Sequence, residues 1–131
     1  MGKIIQNNKL VLPELSYKIV GALFEVSNEF GTGYQEKYYY PAVKRALEKS
    51  GLGVKMQIPV PVRFAGEKIS NYFLDFLVEE KVILEIKVGG RFKRGDFTQV
   101  KAYLKATGKP LGILARIAYD GVTFHRVLPP K

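Results

Sequence analysis

The chain has 131 residues, 47% of them hydrophobic and 25% charged, the composition of one folded domain with a single core, and a net charge of +9 at pH 7. With no Cys and one His, it excludes a disulfide framework, a thiolate zinc centre, a Cys nucleophile and an imidazole-rich metal site. No apolar run approaches the roughly 18 residues of a membrane span, and the opening MGKIIQNNK lacks the apolar stretch of a signal peptide, so no membrane association and a cytoplasmic location are expected.

Residues 1 to 13 read as a loosely docked tail stopped by Pro13. From Glu14 to Glu29, Leu15, Ile19, Ala22, Leu23 and Val26 recur at helical spacing, with Gly31-Thr32-Gly33 as the stop. Glu25 and Glu29 solvate that helix, with Glu29 nearest any cleft. A second helix runs from Tyr34 or Gln35 to Ser50, and it either starts near Pro41 or is kinked there, because proline is comfortable only in a first turn. The run Tyr38-Tyr39-Tyr40 suits core packing or stacking on bases.

Val54 to Phe64 reads as an edge strand because of Pro59 and Pro61, and Ala65-Gly66-Glu67 as a turn. Tyr72 to Val78 and Val82 to Val88 are apolar runs that read as an antiparallel pair buried on both faces. Beyond Gly89-Gly90 a helix is expected from Gly95 or Asp96 to Ala106, with Asp96 as N-cap and Gly108 past its end. Leu111 to Ile117 and Val122 to Val127 complete the strands. His125, alone in the last of them, is not expected to be a ligand. The order ααβββαββ predicts a single domain over 1 to 131, of α/β (α+β) class, with a mixed central sheet flanked by helices.

The chemistry concentrates in the central pair. Asp75, Glu85 and Lys87 sit inside it, and an ionised carboxylate there loses its hydration at a cost of several kcal/mol unless a cation replaces the water. Glu85 and Lys87 are two apart and share a strand face. Asp75 joins them if the loop has an odd number of residues, such as Glu79-Glu80-Lys81, or if the pair carries a bulge, and faces away if the turn has two. Carboxylates within roughly 5 Å of each other would repel, which a hard divalent cation, Mg²⁺ or Mn²⁺, would relieve. Lys87 beside them would orient a water or balance charge on a scissile phosphate. Without a metal, the three charges are a buried structural ion cluster.

Between Lys87 and Pro110 stand seven cations against one acid, Asp96, a field suited to a polyanion. Arg91, Lys93 and Arg94 are expected to contact phosphates of nucleic acid, with Lys101 in the same segment. Gln99 and Tyr103, at i and i+4, share a helix face; Tyr103 is either a contact on the nucleic-acid side or packing.

Asp75 followed by Glu85-Ile86-Lys87 resembles the signature of the PD-(D/E)XK nuclease superfamily, and the whole chain resembles its GxxExxY family. That motif stands here as Gly33-Tyr34-Gln35-Glu36-Lys37-Tyr38-Tyr39. It is joined by LSYKIVGALFEVSNEFGTG, NYFLDFLVEEKVILEIK and QVKAYLKATGKPLGIL, so that the similarity covers Leu15 to Val127. The resemblance implies a restriction-endonuclease-like core and a Mg²⁺-dependent phosphodiesterase acting on nucleic acid, DNA foremost. It implies Asp75 and Glu85 as metal-binding carboxylates, Glu36 as an extra acid, the Ile86 carbonyl as a further ligand and Lys87 as the catalytic lysine. Gln99 and Tyr103 match the Q-x-x-x-Y pattern of some branches. The chain departs from many relatives in carrying Ser27 where they have His, and Pro41 inside the second helix. The alternatives from other classes are an inactive module of the same fold that binds nucleic acid or a protein through its basic surface, and a homodimer with incidental charge.

Overall fold

The computed structural model describes residues 10–131, so most of the expected N-terminal tail lies outside the described residues. Helix α1, Pro13–Phe30, begins on a proline whose missing N–H costs nothing in a first turn, and it ends at Gly31 in the left-handed region (φ 79). Its stripe of Ile19, Ala22, Leu23 and Val26 is buried. Helix α2, Glu36–Lys49, buries Tyr39, Val43, Ala46 and Leu47 against it, and the Tyr39 hydroxyl donates to the Gly31 carbonyl at 2.8 Å.

Pro41 lies inside α2, which neither starts at it nor breaks there. Pro41 has no N–H to offer the Lys37 carbonyl, but both residues are exposed and water can take that acceptor. The helix therefore starts early enough to carry Glu36 in its first turn.

Five strands follow: β1 Val54–Phe64, β2 Glu67–Val78, β3 Val82–Val88, β4 Leu111–Ala118 and β5 Gly121–Val127. They form one sheet in the order β1-β2-β3-β4-β5, with only β3 and β4 parallel. A parallel neighbour needs a crossover, and α3, Arg94–Thr107, supplies it. Helices α1 and α2 cover one face, over Phe76, Val78, Leu84, Ile86, Ile113 and Ala115; α3 covers the other, over Leu77, Ile83, Leu114 and Val127. The expected mixed α+β sheet flanked by helices is the observed architecture.

The crossover helix sits very close to the sheet. A Cβ on Gly112 of β4 would lie 2.6 Å from Val100 Cγ1 and 3.4 Å from Leu104 Cδ1 of α3. Val100 is buried and β-branched, so its χ1 is restricted and it yields at a cost. Gly112→Ala is expected to lower stability by about 1–3 kcal/mol, read as a reduced urea midpoint at unchanged m-value.

Strands β1 and β2 switch faces partway along. Val54 and Met56 of β1 pack with the α1/α2 core, whereas Ile58 and Val60 pack with the α3 core; on β2, Phe76 and Val78 stand on the first side and Tyr72 and Leu74 on the second. Residues of equal parity share a face in a regular strand. The register is Met56↔Phe76 and Ile58↔Leu74, so the switch falls on Gln57 and Asp75, and Gln57 is in the left-handed region at φ 55. Past Val60 and Asn71 the distal residues of the hairpin are exposed on both strands.

Candidate active site

The β2–β3 pairing runs Val78↔Val82, Leu77↔Ile83, Phe76↔Leu84 and stops there. The loop is the three residues Glu79, Glu80 and Lys81, whose odd number brings Asp75 opposite Glu85. In place of the next ladder bonds, the carboxylates insert between the strands. The Asp75 N–H donates to Glu85 Oε2 at 2.7 Å, and the Ile86 N–H donates to Asp75 Oδ2 at 2.9 Å. The strands diverge from this point, and the gap is the floor of a cavity of about 240 Å³.

That cavity is lined by Glu36 and Tyr40 from α2, Tyr72 and Asp75 from β2, Glu85, Ile86 and Lys87 from β3, and Asp96 and Gln99 from α3. With Val100 of α3 and Leu114 of β4 also in its lining, five elements converge on the kinked end of the central pair. Glu85 is 7% exposed, and its second oxygen accepts from the Tyr72 hydroxyl at 3.1 Å. Burial raises the Glu85 carboxyl well above the ordinary range and the Asp75 charge adds to this, while the Asp75 N–H and the Tyr72 hydroxyl oppose it. Asp75 is also raised, by burial first and by Glu36, against the Ile86 N–H. The Tyr72 hydroxyl is pushed up to about 12, chiefly by burial, with the Glu85 charge contributing.

Lys87 is held at the mouth, its Nζ 3.7 Å from Asp96 Oδ2. The same Asp96 oxygen accepts from the Lys93 N–H at 2.7 Å. Asp96 is therefore not the N-cap of α3, as its position in the sequence suggested, but the third helical residue reaching back to the cap at Lys93. One carboxylate both starts the helix and anchors the lysine. Glu36 reaches the cavity despite Pro41, and its Oε2 accepts from the Tyr40 hydroxyl at 2.9 Å.

Of the two readings of Tyr103, nucleic-acid contact and packing, the geometry fits packing. It is buried, its ring stacked on Tyr72 at 4.3 Å, so it backs the wall that orients Tyr72 and offers nucleic acid no surface. Among the described residues its buried hydroxyl has no partner of good hydrogen-bond geometry and interacts only loosely with the Tyr72 hydroxyl. Tyr103→Phe is accordingly expected to leave thermal stability unchanged or slightly raised, since it removes a poorly paired polar atom and keeps the stack. Arg91, Lys93, Arg94 and Lys101 are exposed, and Gln99 is exposed at the cavity rim.

Tyr40, Tyr72 and Asp96 are cavity residues that sequence pattern did not place at the site. Tyr40 was detectable as the i+4 neighbour of Glu36 on a helix. Tyr72, three residues before Asp75, would lie on the wrong face of a regular strand, and only the switch at Asp75 brings it to Glu85.

The donor set is all oxygen and suits a hard divalent cation, with Asp75 and Glu85 at its centre. Among the described residues no three His, Cys, Asp or Glu side chains are spaced as a ready-made metal cage.

Among curated proteins no match to this sequence was found. The chain is similar in fold to the crystal structure of SSO0001, with a TM-score of 0.57 at 16% identity, over 92% of this chain and 60% of that one. It is also similar to an alkaline exonuclease (LHK-Exo) from Laribacter hongkongensis, with a TM-score of 0.54 at 15% identity, over 90% of this chain and 69% of that one. The chain thus spans well under the full length of either structure. A family model matches residues 13–124, a span that takes in the kinked hairpin, Asp75, the Glu85-Ile86-Lys87 run and the crossover helix together, and by that match the chain belongs to the PD-(D/E)XK nuclease superfamily.

Proposed function

We propose that this protein is a nuclease of the GxxExxY branch that hydrolyses phosphodiester bonds of DNA with the help of Mg²⁺ or Mn²⁺. The observation that carries this is the pair of raised carboxylates, Asp75 and Glu85, meeting across diverging strands with Lys87 two residues on at the mouth of the same polar cavity. Asp75 and Glu85 would hold the ion, with the Ile86 carbonyl as a further ligand and Glu36 from the rim. Bound there, a divalent ion supplies an activated water and charge neutralisation at the phosphate.

The chain's own groups do the rest. Lys87 places a positive charge beside the phosphate oxygens where negative charge develops, and its ion pair with Asp96 biases that ammonium toward the cavity mouth. Gln99, on the rim, can donate to a phosphate oxygen or the attacking water. Arg91, Lys93, Arg94 and Lys101 provide the sequence-independent grip on the backbone.

The test is cleavage of labelled single-stranded, duplex and branched DNA by purified protein with Mg²⁺ or Mn²⁺, against an EDTA control. Cleavage that needs the ion supports the proposal; intact substrate under every condition counts against it. One observation favours a second function, binding without cleavage. One oxygen of each carboxylate already accepts from a strand N–H and the other Glu85 oxygen accepts from Tyr72, while no third acid completes a cage among the described residues. Salt-sensitive DNA binding that ignores divalent ions and leaves the DNA whole would establish that function instead.

A further inference from the structure

A second cavity, of about 610 Å³, opens beside the first and takes no part in holding the carboxylates. It lies between the β3–α3 loop, through Gly90, Arg91 and Phe92, and the β4–β5 hairpin, through Arg116, Tyr119, Asp120 and Thr123. Its size falls in the range of about 300–1,000 Å³ usual for sites that take a small organic unit.

The two cavities are neighbours through Lys87. Lys87 and Arg116 are register partners on the parallel strands β3 and β4, and Gly90 packs against Lys87, a Cβ there falling 3.5 Å from Lys87 Cε. Gly89 and Gly90 both have φ in the left-handed region, at 70 and 66, which lets the chain turn immediately after the strand and run along the second cavity.

The cup is braced from inside. The Arg116 Nε–H donates to the Gly90 carbonyl, one terminal nitrogen donates to Thr123 Oγ1 at 3.1 Å, and the other lies 3.5 Å from Asp120 Oδ1. Arg116 is thereby spent on joining the two walls. Arg91 is left as the exposed cation of the cup, and Tyr119, 88% exposed, stands as an aromatic plane at its rim. An aromatic ring that solvent surrounds gains nothing for the fold where it stands, but it offers a base a stacking face, and an arginine close by offers a phosphate a two-pronged donor.

We propose that this cup is a nucleotide subsite, in which Tyr119 stacks on a base and Arg91 grips the phosphate of the nucleotide next to the scissile bond. The proposal rests on the nuclease function above and extends it from the reacting phosphate to the neighbouring unit of the strand. It commits to a nucleotide within a strand; a free mononucleotide has the same chemistry and is separated by the test.

The test uses the full chain and fluorescein-labelled single-stranded DNA, first in EDTA so that binding is read without cleavage. Tyr119→Ala is expected to weaken binding roughly tenfold, and Tyr119→Phe, which keeps the ring, to stay within about twofold of wild type. Arg91→Ala is expected to lower the slope of log affinity against log salt by about 0.7, one phosphate contact on a single strand. With Mn²⁺ present, Tyr119→Ala and Arg91→Ala should raise KM far more than they lower kcat. Because Tyr119 is exposed on a turn, circular dichroism should show the fold intact.

Binding by Tyr119→Ala equal to wild type overturns the subsite, as does AMP that binds saturably without being displaced by DNA. The two proposals fail separately. A wild type that binds DNA through Tyr119 but never cleaves it keeps the subsite and loses the nuclease; ion-dependent cleavage indifferent to Tyr119 and Arg91 does the reverse.

Discussion

Lys87→Ala is expected to lower DNA cleavage by roughly a thousandfold, measured as a single-turnover rate, with far-UV circular dichroism and the melting temperature little changed. Among the described residues lining the cavity Lys87 is the only cation. Its ammonium lies 3.7 Å from Asp96, an ion pair that biases it toward the cavity mouth. The side chain is 30% exposed, so its removal empties little of the core. Lys87→Arg is expected to recover only part of the rate, because a planar fork cannot occupy the site of a compact ammonium. A wild-type rate in Lys87→Ala would remove this residue from the chemistry.

The second large effect is on stability. In the absence of divalent ions the folded protein should become less stable as pH rises from about 4 to about 8. Unfolded carboxylates titrate near 4, whereas burial pushes Asp75 up to about 6 and Glu85 up to about 8 in the folded chain. Between those limits the folded state binds more protons than the unfolded state, so the slope of unfolding free energy with pH is negative. The contribution is fully present below the unfolded value and is lost as pH passes the folded ones. Its size is on the order of a few kcal/mol, since holding a proton through one further pH unit is worth about 1.4 kcal/mol. Urea melts across this range check the sign, and Asp75→Asn with Glu85→Gln should flatten the curve. Mg²⁺ or Mn²⁺ should restore stability most at the alkaline end, where both carboxylates are free of protons. A flat profile in the wild type would mean that the pair is better solvated than its burial indicates.

Much of this architecture is written in local patterns. The helical spacing of Ile19, Ala22, Leu23 and Val26, the edge prolines and the three-residue loop at Glu79 led to the observed order of elements and to Asp75 facing Glu85. What the sequence hid were departures from ideal periodicity. Alternation read through Asp75 as a regular pleat would send Tyr72 away from Glu85, and nothing about Gln57 announces a left-handed backbone, since neither glycine nor asparagine stands there. Pro41 argued for a late or broken helix because the exposure of the Lys37 carbonyl, which makes the proline tolerable, is a tertiary property. Tyr103 was open to packing or to nucleic-acid contact for the same reason; its stack on Tyr72 depends on a residue arriving from another element.

The prolines of β1 also bear on how these molecules keep apart. Pro59 and Pro61 pair with Phe73 and Asn71, and a residue without an N–H fits such a ladder only where that donor would have pointed away from β2. The outer rim of the sheet therefore lacks two donors in a row of alternate positions, beside a ribbon that exposes Val62, Phe64, Ile69 and Phe73. A second chain laying a strand along that rim would find its carbonyls unanswered at both places. The apolar ribbon is thus guarded against runaway edge-to-edge assembly by the residues that were the first sign that it was an edge.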